Sequence, residues 1–162
     1  KYWCLIYDTP DRIAHNAVLG AADQQASLGV WLDPSKDQNS QPLENLIDYF
    51  INESYEVFIA SDHGHVEATG FGQPAEGLLA ETRGKRARLY NDRLAAKQVQ
   101  IAFPDTILWE NDGLLPAELI SLMPAKRNAF TFSGQVVVTH GGLTLEEEIV
   151  PFIQITKRSN SG

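Results

Sequence analysis

Val57-Phe58-Ile59-Ala60-Ser61-Asp62-His63-Gly64-His65-Val66-Glu67 is the stretch whose reading decides the fold. It opens as an uncharged run rich in β-branched and aromatic residues and breaks abruptly into Asp, His and Gly. Such a run is expected to form a strand buried on both faces of a parallel sheet. Open α/β sheets bind their ligands beyond the carboxyl ends of the strands, which is where Asp62 and His63 are expected. A carboxylate beside an imidazole, held by a stiff strand and released at Gly64, can present two ligands to one metal ion. The triplet alone is a weak signal, since a turn carrying an Asp cap has the same letters.

Two further stretches repeat the pattern of an apolar run followed by Asp or His. Tyr2-Trp3-Cys4-Leu5-Ile6-Tyr7 precedes Asp8, Asp11 and His15, and Val136-Val137-Val138-Thr139 precedes His140-Gly141-Gly142. Asp11 and His15 are four apart and share a face if the turn after Pro10 is helical. Three strand ends bearing metal-type ligands are explained poorly by chance.

The chain has 162 residues, about one domain, with a formal net charge of −8 and a single cysteine. That charge argues against a broad nucleic-acid surface on this chain, although a bound cation could still attract a phosphate. No apolar run is long enough for a membrane span. Cys4 has no internal disulfide partner, which points to a reducing, cytoplasmic compartment, and it reads as a small buried hydrophobe. The opening at Lys1, already inside the expected first strand, suggests part of a longer protein. Residues 158–162 are expected to be a disordered tail.

Between the candidate strand ends, residues 10 to about 31 read as helix, with Gly20 and Gly29 as weak points. Residues 33–41 read as loop. Leu43, Leu46, Ile47, Phe50 and Ile51 recur at helical spacing, so 42–54 reads as an amphipathic helix. The strand, helix, helix, strand order suggests a parallel crossover. The small-residue stretch 68–77 is expected to be a flap over the site. Arg83, Lys85, Arg86 and Arg88 are either a solvated strand face, the plainer reading, or phosphate-facing cations. Further expected elements are a short helix over 91–98, a strand over 106–109, a helix over 116–122 and a hairpin of 129–132 with 135–138 around Gly134. Thr144 and Glu147 form a capping-box pair opening a helical turn, and 150–155 reads as a last strand.

Ser61-Asp62-His63-Gly64-His65, together with Thr139-His140-Gly141-Gly142-Leu143-Thr144-Leu145-Glu146-Glu147 and Ile149-Val150-Pro151, resembles the PglZ family of the alkaline phosphatase superfamily. Tyr7-Asp8-Thr9-Pro10-Asp11-Arg12-Ile13-Ala14-His15 looks like the superfamily's Asp-x-x-x-His metal motif, and Glu81 to Tyr90 also resembles PglZ proteins. The resemblance implies an alkaline phosphatase-like α/β fold, mainly a parallel sheet flanked by helices, with residues 1–157 as the C-terminal part of that domain. It implies two divalent ions, zinc foremost and manganese or magnesium as alternatives. One would be held by Asp11, His15 and His140. The other would be held by Asp62 and His63, with an upstream Asp and a Ser or Thr nucleophile not found in this chain.

The activity implied is metal-dependent hydrolysis of a phosphate ester or diester, with two ions clamping the attacking and leaving oxygens. The family's settings are bacterial anti-phage systems of the BREX and phage-growth-limitation type, whose other proteins are candidate partners, and effector domains of response regulators. His65 and Arg86 are the candidate substrate contacts; His65 alternatively orients a ligand or is a surface histidine. Ser61 and Thr139 read as structural residues, and Glu146 to Glu148 as helix N-terminal charges. The competing functional class is a non-catalytic scaffold or interaction module that keeps the metal site for stability.

Overall fold

The computed structural model describes residues 1–33, 35, 42–75, 80–110, 113 and 115–158. Of the expected loop over 33–41, residues 34 and 36–41 lie outside the described residues, as do residues 159–162 of the expected tail over 158–162. Five helices and nine strands are formed by the described residues: α1 Thr9–His15, α2 Ala21–Leu32, α3 Pro42–Asn52, β1 Val57–Ala60, β2 Val66–Gly70, β3 Ala80–Arg83, β4 Arg88–Tyr90, α4 Arg93–Ala102, β5 Thr106–Trp109, β6 Ile120–Pro124, β7 Asn128–Ala129, β8 Val136–Thr139, α5 Leu145–Glu148 and β9 Phe152–Ile155. The fold is mixed α/β, as expected, but the strands form three small sheets. Strand orders are β1-β9, β7-β2-β8 and β3-β4-β6-β5.

The expected mainly parallel sheet is corrected by the pairing. Among the described residues only β2 and β7 run parallel. The β1–β9, β2–β8, β3–β4, β4–β6 and β5–β6 ladders are antiparallel. β1 was expected to be covered on both faces, yet its residues alternate between half-buried and exposed. Phe58 of β1 stacks on Phe152 of β9 with ring centroids 5.8 Å apart. This cross-strand aromatic pair stands on the exposed face of the two-stranded sheet.

Residues 2–7 form no strand. A strand must pair its backbone groups, and no described strand runs beside this segment. Its side chains are largely exposed, Cys4 included, against the expectation of a buried thiol. Trp3 Nε1 donates to the Tyr55 hydroxyl at 3.3 Å.

The helix expected over 10–31 is two helices. Pro10 sits in the first turn of α1, where its missing N–H costs nothing. The break before α2 falls at Gly20, whose φ of +84° suits glycine. The Ala21 N–H that opens α2 donates to Glu67 Oε2 at 2.6 Å.

Other differences have local causes. The stretch expected to be a flap begins inside β2, whose alternate residues Val66, Ala68 and Gly70 are buried. The segment expected as a helix after Pro116 becomes β6, because its apolar residues pack into a sheet core. The expected hairpin around Gly134 does not pair with itself: β7 and β8 lie on opposite edges of β2. The expected helices at 42–54 and 91–98 are α3 and α4, and Asp92 caps α4 by accepting from Leu94 N at 2.7 Å.

Three apolar clusters hold these pieces. Tyr90, Ala95, Ala96, Leu122 and Phe130 seat α4 on the four-stranded sheet. Val66, Ala68, Ala129 and Val137 fill the three-stranded sheet. Ala14, Ala17 and Val138 pack α1 against β8. The last two clusters position the site, since β2, β8 and α1 each carry a histidine at an end.

Candidate metal centre

The register of β2 and β8 builds the first half of the site. Val66 pairs with Thr139, so His65 and His140, one step beyond on each strand, face each other with ring centroids 5.3 Å apart. Packing of Ala14 and Ala17 on Val138 then brings the Asp11 and His15 face of α1 over the same strand ends. His63 completes the group from the loop after β1. Its ring stacks on His140 at 3.7 Å between centroids.

All four histidines of the chain therefore gather around one carboxylate. Asp11 Oδ1 lies 3.0 Å from His65 Nε2, 3.5 Å from His15 Nε2 and 3.8 Å from His140 Nε2. His15 Nε2 and His140 Nε2 are 3.2 Å apart. Asp11, His63, His65 and His140 can each present one ligand atom, all within 4.8 Å of one another. Ligands bonded at roughly 2.0–2.2 Å in a tetrahedron are separated by about 3.4 Å. Asp11 lies 3.0 Å from His65 and 3.8 Å from His140, on either side of that value, so the group of four could hold a metal ion.

The protonation states fit as well. Burial would raise the Asp11 carboxyl, but the His65 hydrogen bond and the nearby imidazoles outweigh it and hold it below its ordinary value. Burial pushes His65 down, against the pull of Asp11. His140 is lowered by burial and by its histidine neighbours. Neutral imidazoles and an ionised carboxylate are the forms that bind metal. The His63 ring Nδ1 lies 3.1 Å from the Gly64 carbonyl. A carbonyl can only accept, so this contact puts the proton on Nδ1 and leaves Nε2 as the lone pair.

The expected two-site partition, Asp11 with His15 and His140, and Asp62 with His63, has a different geometry in the structure. Asp11, His15 and His140 do converge. His63 joins them, and so does His65, which was expected as a substrate contact. Asp62 stands at the rim with its side chain 89% exposed and its Oδ1 3.7 Å from His63 Nε2. Ser61 Oγ donates to the His63 carbonyl at 2.5 Å, and Thr139 is buried.

Neither reading of the arginine strand describes Arg86. Its side chain is fully buried, with Nε and Nη2 donating to the two Glu147 carboxylate oxygens at 2.9 and 2.8 Å. Arg88 is buried too, its guanidinium 4.9 Å from the Phe130 ring centre. The side chain of Arg83 lies outside the described residues. Glu147 keeps its capping-box position while also closing this buried pair. The sequence signal for Glu147 was its capping-box pairing with Thr144; nothing local pointed to Arg86 as its partner.

The fold and this cluster define a mixed α/β domain with a histidine-rich candidate metal centre at its strand ends. The family model for the BREX system PglZ alkaline phosphatase-like domain matches residues 10–155, and the chain belongs to the PglZ family. Comparison with curated proteins gives no match. Among the described residues no helix is long and apolar enough to cross a membrane.

Proposed function

We propose that the chain contributes the metal centre of a metal-dependent phosphoric ester hydrolase, a phosphatase or phosphodiesterase of PglZ type acting in cytoplasmic anti-phage defence. The observation that carries this reading is the convergence of all four histidines and Asp11 from three separate segments. Family membership supports the phosphoester substrate class and the BREX setting.

Asp11, His63, His65 and His140 would hold the first divalent ion, with His15 beside them as an alternate ligand. Asp62, exposed next to His63, is available to a second ion. When bound, such an ion supplies positive charge that polarises a phosphoryl oxygen. The chain's own groups prepare the site. The Gly64 carbonyl fixes the His63 tautomer, and burial favours the neutral forms of His65 and His140. Arg86 has no substrate contact in this reading. Ser61 donates to the His63 carbonyl and Thr139 is buried, and the family resemblance places the nucleophile upstream of residues 1–157, the C-terminal part of the domain.

The test is calorimetric zinc titration of this chain and hydrolysis of a chromogenic phosphodiester by the full-length protein. One tight ion per chain is expected, with loss of both binding and turnover in His140→Ala. Tight zinc binding without turnover by the full-length protein would favour the scaffold reading. Absence of zinc binding would remove the metal centre altogether.

A further inference from the structure

The residue that touches both histidine-bearing loops is not itself in the cluster. The Glu147 carboxylate accepts from Gly142 N at 2.8 Å and from Thr144 N at 3.0 Å, which shapes the loop leaving His140. The Glu147 backbone carbonyl accepts from Gly64 N at 2.8 Å, between His63 and His65. The contact is close enough that a Cβ on Gly64 would overlap the Glu146 carbonyl. One residue thus grips the His140 loop with its side chain and the His63–His65 loop with its backbone.

Arg86 fixes that residue in turn. Its forked contact with the Glu147 carboxylate is fully buried, a geometry that sets orientation as well as distance. Its Nη1 donates to the Asn128 carbonyl and, at 3.4 Å, to that of Pro124. The fork is thereby anchored at the ends of β6 and β7, and β7 flanks β2. A Cβ on Gly142 would run into the guanidinium, so the His140 loop lies directly against it.

We propose that Arg86 and Glu147 are a positioning pair for the metal centre, setting its divalent-ion affinity through the two loops without contacting the ion. The proposal rests on the metal-centre reading above. Outer groups that orient ligands typically change metal affinity by roughly 10–100-fold when altered. The pair spans both loops, so its loss moves His140 relative to His63 and His65, whereas loss of packing elsewhere lowers stability without moving the ligands.

Cobalt(II) titration of the full chain, followed by visible absorption and calorimetry, tests this. Glu147→Gln and Arg86→Lys are compared with Leu122→Ala, a core truncation in the four-stranded sheet. Folding of each is checked by circular dichroism, and Arg86→Lys decides if Glu147→Gln does not fold. The expected result is at least about tenfold weaker cobalt binding with an altered absorption band in the pair variants, and unchanged affinity and band in folded Leu122→Ala. Folded pair variants with wild-type affinity and band overturn the positioning role while leaving the metal centre intact. A wild-type chain that binds no cobalt overturns both.

Discussion

His65 and His140 face each other because Val66 and Thr139 are registered partners in the β2–β8 ladder. Side chains alternate along a strand, so this one pairing fixes which groups from two distant segments meet. It makes His65, with a side chain 14% exposed and 3.0 Å from Asp11, an inner member of the cluster.

His65→Ala should weaken zinc binding by about tenfold or more, about 1.4 kcal/mol. Asp62→Asn should leave the first ion's affinity within about twofold, because Asp62 is outside the group of four. Calorimetry on the two variants measures both. The reverse ranking would place the tightly bound ion at the Asp62–His63 pair instead.

Removing one partner of the Arg86–Glu147 pair leaves a buried charge without its counter-charge. Glu147→Ala and Arg86→Ala should each lower stability by about 3–5 kcal/mol. Urea unfolding measures the loss. The combined Arg86→Met and Glu147→Gln variant should lose less than the sum of its single changes.

Acid should act through the same carboxylate. Burial would raise the Glu147 pKa, but hydrogen bonds from Arg86, Gly142, Thr144 N and the Thr144 hydroxyl overcome it and lower it from 4.5 to about 2. A folded-state value below the unfolded one stabilises the fold above the unfolded pKa and loses that stability as pH falls toward the folded value. The contribution is complete by about pH 6 and falls by about 2 kcal/mol on going to about pH 3. Urea unfolding at those two pH values should show that extra loss in the wild type and not in Glu147→Gln.

Two glycine substitutions should have opposite signs. At Gly64 a Cβ overlaps the Glu146 carbonyl, so Gly64→Ala should cost about 1–3 kcal/mol and weaken zinc binding. Gly29 lies in α2 with nothing within 4 Å of an added Cβ. Gly29→Ala should therefore stabilise by about 0.5–1 kcal/mol and leave zinc binding unchanged. Thermal melts with and without zinc distinguish them.

The sequence by itself determined the features written in short-range pattern. Residues at helical spacing announced α3, Thr144 with Glu147 announced the start of α5, and the four-residue step from Asp11 to His15 put both on one face of α1. The motifs around His63 and His140 carried the family. Tertiary structure decided the rest. Val66 to Gly70 is too rich in small residues to announce a strand, so His65 could not be matched with His140 before the β2–β8 register was known. The antiparallel sheets were equally hidden, because an apolar run such as Val57 to Ala60 has the same composition whichever way its neighbour runs. Arg86 read as a solvated or phosphate-facing cation, and its partner Glu147 lies 61 residues away. Local propensity acts over one or two turns of chain, whereas burial of a charge depends on which distant carboxylate the packed sheets deliver to it.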